Sequence, residues 1–289
     1  MSKLTGMLAV LVALSALALS ATPAPGDATW DGEVNDLWSV TTGGSDNFGN
    51  WDADPTAGGT LWFPNSSWTS TVDLDTSGWG ITGLRPRGNG TLTIPAGGTL
   101  KTTHEIGMGN PGHPTVRVTG GALVSSVVWR FGLLELSGGS WTGGRCYAGP
   151  EIHVIGSGSS ISPTRFACGE PRNQVRFTLD AAGVSPFAPT SGDPFDDIQS
   201  HGIPLVVDGI ENYVGSFGDI VPLFTFGPGV TDPHIMNIFP SSMFNYDDTL
   251  ATLTVDDTGA WLEIIPEPAT MILLAGGLPL LLRRRRRRR

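Results

Sequence analysis

Alternating apolar and polar residues, broken by paired glycines, recur through the middle of the chain. Leu92 and Ile94 flank Thr93 and lead to Gly97 and Gly98; Val116 and Val118 flank Arg117 and lead to Gly120 and Gly121. Leu134 and Leu136 then precede Gly138 and Gly139, and Ile152 and Val154 precede Gly156 and Gly158. A period of two places each apolar pair on one face of a short strand. A second landmark follows each strand at Ile106-Gly107, Phe131-Gly132, Ala148-Gly149 and Cys168-Gly169, with glycines separated by 25, 17 and 20 residues. Periods near 20 predict a β-solenoid, in which each coil buries its inner face against its neighbours. The uneven spacing leaves stacked β-hairpins as the alternative.

Counting back from each landmark glycine sets a trial register. Ile106, Phe131, Ala148 and Cys168, with His104, Trp129, Cys146 and Phe166, form the expected inner face. Glu105, Arg130, Tyr147 and Ala167, with Thr103, Val128, Arg145 and Arg165, form the outer one, where Val128 is out of character. Cys146 and Cys168 then sit in adjacent turns two residues apart, at about 8 Å between Cα atoms. That is beyond ordinary disulfide reach, so two buried thiols are expected.

On either side the pattern changes. Six of the nine tryptophans (Trp30, Trp38, Trp51, Trp62, Trp68 and Trp79) fall within 50 residues. Residues 27–87 are read as a Trp-rich N-terminal β cap or entry segment and 88–174 as Gly-rich solenoid rungs. Five strands are expected at 175–179, 203–207, 220–226, 250–255 and 261–265, separated by Pro-, Gly- and Asp-rich loops. Residues 175–265 thus form the end of the solenoid or a small β-sandwich packed on it. With 40 Gly and 22 Pro in 289 residues, a helical bundle is excluded. With 39% hydrophobic residues, including 12 Phe, so is disorder. The class is all-β: a β-solenoid, parallel β-helix-like, with a C-terminal β cap or small sandwich. An N-terminal signal and a C-terminal short membrane helix complete it.

The two ends carry the membrane-directed features. Lys3, an apolar run over 8–19 and a small-residue exit make 1–20 a secretory signal peptide, with cleavage after Ser20. At the other end stand Pro266, Glu267 and Pro268, an apolar stretch over 269–282, and Arg283, Arg284, Arg285, Arg286, Arg287, Arg288 and Arg289. Fourteen residues of helix span about 21 Å at ~1.5 Å each. This falls short of the ~30 Å hydrocarbon core, which suits a temporary hold. The arginines would stay cytoplasmic. The net charge of −10 conceals this division. Without Lys3 and the arginine run, nine basic residues face 27 acidic ones, a balance of −18 that excludes nucleic acid as a partner.

Tripeptide, short apolar helix and arginine cluster in that order resemble the PEP-CTERM sorting signal, here residues 266–289. The resemblance implies the export machinery and an exosortase-type membrane protease as partners. It also implies association with extracellular polysaccharide and passage from an inner-membrane intermediate to the cell surface. The Trp-rich start leading into Gly-rich rungs loosely resembles autotransporter passenger-type β-helix repeats, which implies a β-helix and no activity.

Catalytic motifs are scarce, with no His-Glu-x-x-His helix, no Gly-x-Ser-x-Gly elbow and no phosphate-binding loop in the chain. A non-enzymatic surface or matrix component, with no catalytic residue and no cofactor, is the first reading. The alternative is a glycan-binding module or a polysaccharide lyase or hydrolase, which needs paired carboxylates or a carboxylate with a basic partner. Glu105, Glu135, Glu151 and Glu170 are available for it. Arg130, Arg145 and Arg165 are candidate contacts for an acidic glycan, since Arg145 and Arg165 share a register where like charges repel unless an anion bridges them. Asp46, Asn50, Asp52 and Asp54 are the best cluster for a structural calcium ion, against plain solvated turns. The tryptophans could stack on sugar rings, against the commoner role of core.

Overall fold

Two parallel sheets, wound by a chain that visits them alternately, make up most of the molecule. A computed structural model describes residues 27–41, 49–107, 112–129, 132–147, 151–167, 174–190, 195–196, 202–227, 235, 239–256 and 258–265. Its strands begin with β1 (Ala28–Thr29), β2 (Gly59–Trp62), β3 (Thr69–Thr71), β4 (Ile81–Arg85), β5 (Thr91–Pro95) and β6 (Thr99–Ile106). There follow β7 (Thr115–Thr119), β8 (Ala122–Trp129), β9 (Leu133–Leu136), β10 (Gly139–Tyr147), β11 (Glu151–Ile155), β12 (Ser159–Ala167) and β13 (Val175–Thr178). The last are β14 (Phe195–Asp196), β15 (Leu205–Asp208), β16 (Ile220–Thr225), β17 (Phe244–Asn245), β18 (Ala251–Asp256) and β19 (Gly259–Ile264). One sheet runs β1-β2-β4-β6-β8-β10-β12-β14 and the other β17-β15-β13-β11-β9-β7-β5-β3. From β2 to β15 consecutive strands alternate between the sheets, so the chain coils as a β-solenoid.

The apolar pairs of the short strands stack in register. Leu92 lies on Val116, then Leu134, Ile152, Val175 and Leu205; Ile94 begins the neighbouring column through Val118, Leu136, Val154, Phe177 and Val207. All twelve side chains are buried. Opposite them run Leu100, Leu123, Trp141 and Ile161. Each coil therefore contributes a layer of inward apolar groups from both sheets, the condition under which stacking stabilises repeats that could not fold singly.

The long strands bend, and there the trial register needs correction. Ile106 pairs with Val128, not Phe131, and Val128 is buried rather than outward. His104, expected inside, is exposed. The cause is a bulge: β6 places two residues between Thr102 and Glu105 where β8 places one between Ser125 and Val127. Across this corner Ile106 keeps the inward side set by Thr102, whereas on β8 the inward side passes from Ser125 to Val128, out of alternation. Thr102 and Ser125 turn inward at this corner, where Thr102 Oγ1 donates to Ser125 Oγ at 3.0 Å and Ser125 Oγ donates to the Val127 carbonyl at 2.8 Å. Further along, Cys146 pairs with Phe166 and Arg145 with Arg165, as expected. Phe131, Ala148 and Cys168 lie outside the described residues, as do 1–26 and 266–289, on which the signal and tail readings fall.

The parallel stack also outruns the 88–174 span. Ala28 already pairs with Leu61, and Leu37 bridges Thr71. The Trp-rich segment thus forms the first coils. Its long excursions between short strands hide the period. At the other end β13 and β15 continue the stack, and all five strands expected after residue 175 are present. β16, β19 and β18 form a three-stranded antiparallel sheet. It joins the stack where Phe224 of β16 bridges Phe187, which in turn bridges Ile161. The rungs therefore continue past residue 175, with an antiparallel sheet beside them. No helix among the described residues is long and apolar enough to cross a membrane.

Candidate functional site

The outer face of the second sheet carries a ladder of ionisable groups. In each short strand two apolar residues point inward, so the residue between them points outward. That outward column reads Thr93, Arg117, Glu135, His153, Arg176 and Val206, each paired with the next. Neighbouring strands lie ~4.8 Å apart, so side chains of opposite charge in the column meet directly.

Arg117 grips Glu135 at two points, with Nε to Oε1 at 2.6 Å and Nη2 to Oε2 at 3.4 Å. Gln174 Nε2 donates to Glu151 Oε1 at 2.6 Å. Arg176 lies between two carboxylates, with Nη1 3.3 Å from Asp208 Oδ2 and Nε 3.8 Å from Glu151 Oε1. That Nε atom is buried and makes no hydrogen bond, so its contact with Glu151 is electrostatic alone. These side chains are partly exposed, so each pair contributes about 0.2–1 kcal/mol. The ladder stitches successive coils together and presents alternating charge to solvent.

His153 sits at the centre of the ladder. Its Nε2 lies 2.9 Å from Thr178 Oγ1, and its strand neighbours are Glu135 and Arg176. Burial lowers its pKa below 6.5, and the Arg176 guanidinium lowers it further; Glu135, Glu151 and Asp208 pull the other way. The unfolded chain therefore binds more protons than the folded one just below pH 6.5. Stability is full above that value and declines as pH drops through it. We expect a His153→Gln variant to flatten this slope, read as the difference between urea midpoints at pH 5 and pH 8. An unchanged slope would remove His153 as its source.

Glu135 and Glu151 are thus engaged by cations or amides on the ladder. Glu105 is on the other sheet, ion-paired with Arg85, whose Nη1 also donates to the Gly107 carbonyl at 2.7 Å. The stacked Arg145 and Arg165 are also on that first sheet, and neither is without a partner. Arg130 and Glu170 lie outside the described residues. Arg117, His153 and Arg176 escaped the sequence reading as site residues. Their signal was the middle position of each apolar pair, a column that the alternation already defined.

The oxygen atoms of the expected calcium cluster serve the backbone. Asn50 is fully buried, its Oδ1 accepting from the amides of Val34 and Asn35 at 2.9 and 2.8 Å. Asp52 Oδ1 accepts from the Thr29 amide, and Asp54 caps a 3-10 turn through the Thr56 amide at 2.8 Å. Each oxygen is directed at a different segment, and Asp46 lies outside the described residues. No group of three His, Cys, Asp or Glu among the described residues is placed to hold a metal ion. Three further aspartates make Asp-x-Ser/Thr turns: Asp75 with Ser77, Asp247 with Thr249 and Asp256 with Thr258. Of the clustered tryptophans, Trp30, Trp38, Trp51 and Trp68 are buried in the core, which excludes them as a sugar platform. No protein-family model, no curated protein and no solved structure matches this chain.

Proposed function

We propose that the chain is an exported β-solenoid, sorted through a PEP-CTERM-like tail, that serves as a structural component of the cell surface or extracellular matrix beside exopolysaccharide. The order of features in the tail carries this reading: Pro266, Glu267 and Pro268, the apolar run over 269–282, then Arg283 to Arg289. The N-terminal apolar run behind Lys3 agrees with it. The outer charged ladder supports a structural role, because its carboxylates are engaged between coils. The tripeptide serves recognition by the membrane protease, and the arginines hold the tail at the cytoplasmic side.

Two variants made in the native host test this. Deleting Arg283 to Arg289, or replacing both Pro266 and Pro268 with alanine, is expected to change tail processing, seen as a heavier product by intact mass. Surface appearance should fall with it. Unchanged processing and unchanged surface appearance in both variants would overturn the proposal.

A further inference from the structure

We propose that the loop over residues 213–220, on the C-terminal cap, is a lipid-contacting surface seated on the bilayer that holds residues 269–282; this rests on the sorting-tail reading above. Val214 is 80% exposed, Phe217 69% and Ile220 63%, three of the five large apolar side chains that the described residues expose. Surface loops are ordinarily polar, and a local cluster of exposed apolar groups marks an interaction site.

The loop is held firmly in place. The Asp219 carboxylate accepts from the Ser216 amide at 2.5 Å and from the Tyr213 hydroxyl at 3.3 Å. The Val214 amide donates to the Ala181 carbonyl at 3.1 Å. The Gly218 amide donates to the Ile264 carbonyl, and the Ile264 amide donates back to the Asp219 carbonyl, both at 3.0 Å. Ile220 pairs with Glu263 across β16 and β19. The backbone that carries these apolar side chains is therefore tied to Ala181 and to the last strand, directly before the tail begins.

Position selects the occupant. Between Ile265 and Ala269 the chain spans at most about 14 Å fully extended. With 269–282 in the hydrocarbon, that tether keeps the loop within reach of the headgroup layer. Apolar side chains on a rigid support there act as an interfacial anchor. A second copy of the chain fits less well. Three side chains cover a few hundred Å2 at most, below the ~800 Å2 per partner of a stable complex. Glu211 and Glu263 flank the loop and Asp219 lies within it, so a zwitterionic surface suits it better than an anionic one.

The test is hydroxyl-radical footprinting of the full chain bound to phosphatidylcholine vesicles. Val34, 48% exposed in the first coil at the opposite end, is the internal reference. Labelling of Val214, Phe217 and Ile220 relative to Val34 is expected to fall by about fivefold on the vesicles. In a Val214→Ser, Phe217→Ser double variant that stays vesicle-bound, Ile220 should label at its solution rate. Vesicle-bound chain whose loop labels as in solution would overturn the loop proposal alone. Failure of the full chain to bind would overturn both this proposal and the tail's role in the membrane. Protection without vesicles that grows with protein concentration would assign the loop to a second copy and overturn its assignment to lipid.

Discussion

Replacing Gly139 with alanine is expected to destabilise the protein by about 3 kcal/mol, against about 1 kcal/mol for the same change at Gly97. Both glycines stand at turns between a short strand and a long one, and both have positive φ, +78° at Gly139 and +90° at Gly97. Alanine in this region costs about 1–2 kcal/mol through contact of its Cβ with the backbone. The positions differ in what lies beyond. A Cβ at Gly97 meets nothing within 4 Å. At Gly139 it would overlap the Gly121 carbonyl oxygen, which accepts the inter-coil hydrogen bond from the Ser140 amide at 2.8 Å. Gly121 has little room to retreat, because its own Cβ position lies 2.6 Å from the Gly98 carbonyl oxygen. The turn can admit a methyl group only by opening the stack. In a solenoid that loss falls on the interface between neighbouring coils and so weakens both. Urea midpoints followed by circular dichroism would measure the two variants. Equal midpoints would mean that close approach at this corner contributes nothing beyond backbone strain.

The same turns show why part of the fold was legible and part was not. The apolar pair followed by two glycines encodes a short strand and a tight corner, two local features. Leu92, Val116, Leu134 and Ile152 could therefore be aligned from the sequence, and they stack as aligned. The apolar-Gly landmark was a poorer guide, because it lies beyond the bend of the long strand. A single bulged residue near His104 shifts everything after it. Between Ile106 and Val128 the register differed from expectation by three residues, of which the bulge accounts for one. Between Cys146 and Phe166, where both strands have nine residues, it did not. The N-terminal coils were hidden by their long excursions: Ala28 and Leu61 are 33 residues apart yet lie in adjacent strands. No period near 20 could reveal that pairing.

The outer face was legible one residue at a time but not as an arrangement. Glu135 and Glu151 were singled out as carboxylates, whereas Arg117 and Arg176, the cations beside them, were passed over. Each sits at the centre of an apolar pair, where alternation makes it outward. Pairing one column with the next requires the stacking register, which the short strands supply. Within this column lies the grip of Arg117 on Glu135, a contact 18 residues apart in sequence. Charges that neutralise each other between coils leave the face patterned without giving it large net charge of either sign.

Trp51→Ala is expected to destabilise the first coils by about 4 kcal/mol, and Trp51→Phe by far less. Trp51 is fully buried, and its ring meets three others nearly edge-on: Trp30 and Trp38 at 5.1 Å and Phe63 at 6.2 Å between centroids. Alanine removes the common partner of all three and leaves a cavity that rings fixed elsewhere cannot fill. Trp38 is held by a hydrogen bond from Nε1 to Ser70 Oγ at 2.5 Å and by stacking on Trp79 at 5.8 Å. The indole nitrogen of Trp51 has no hydrogen-bond partner, so phenylalanine removes an unsatisfied donor while keeping most of the ring contact. The neighbouring Asn50 magnifies the difference. Its backbone carbonyl accepts from the Asp31 amide at 3.0 Å, and its side-chain amide donates to the Leu37 carbonyl at 2.8 Å. Any movement of residue 51 is therefore passed to both segments of the first coil. β1, only two residues long, would be the first strand to detach, exposing Leu61 on the strand beneath it. Chemical denaturation read by tryptophan fluorescence, with limited proteolysis near residue 30, would follow this loss. Equal destabilisation by alanine and phenylalanine would shift the origin of the stability from ring packing to the indole itself. The expected order, alanine far below phenylalanine, makes the N-terminal tryptophans the hydrophobic plug of the solenoid's first coils.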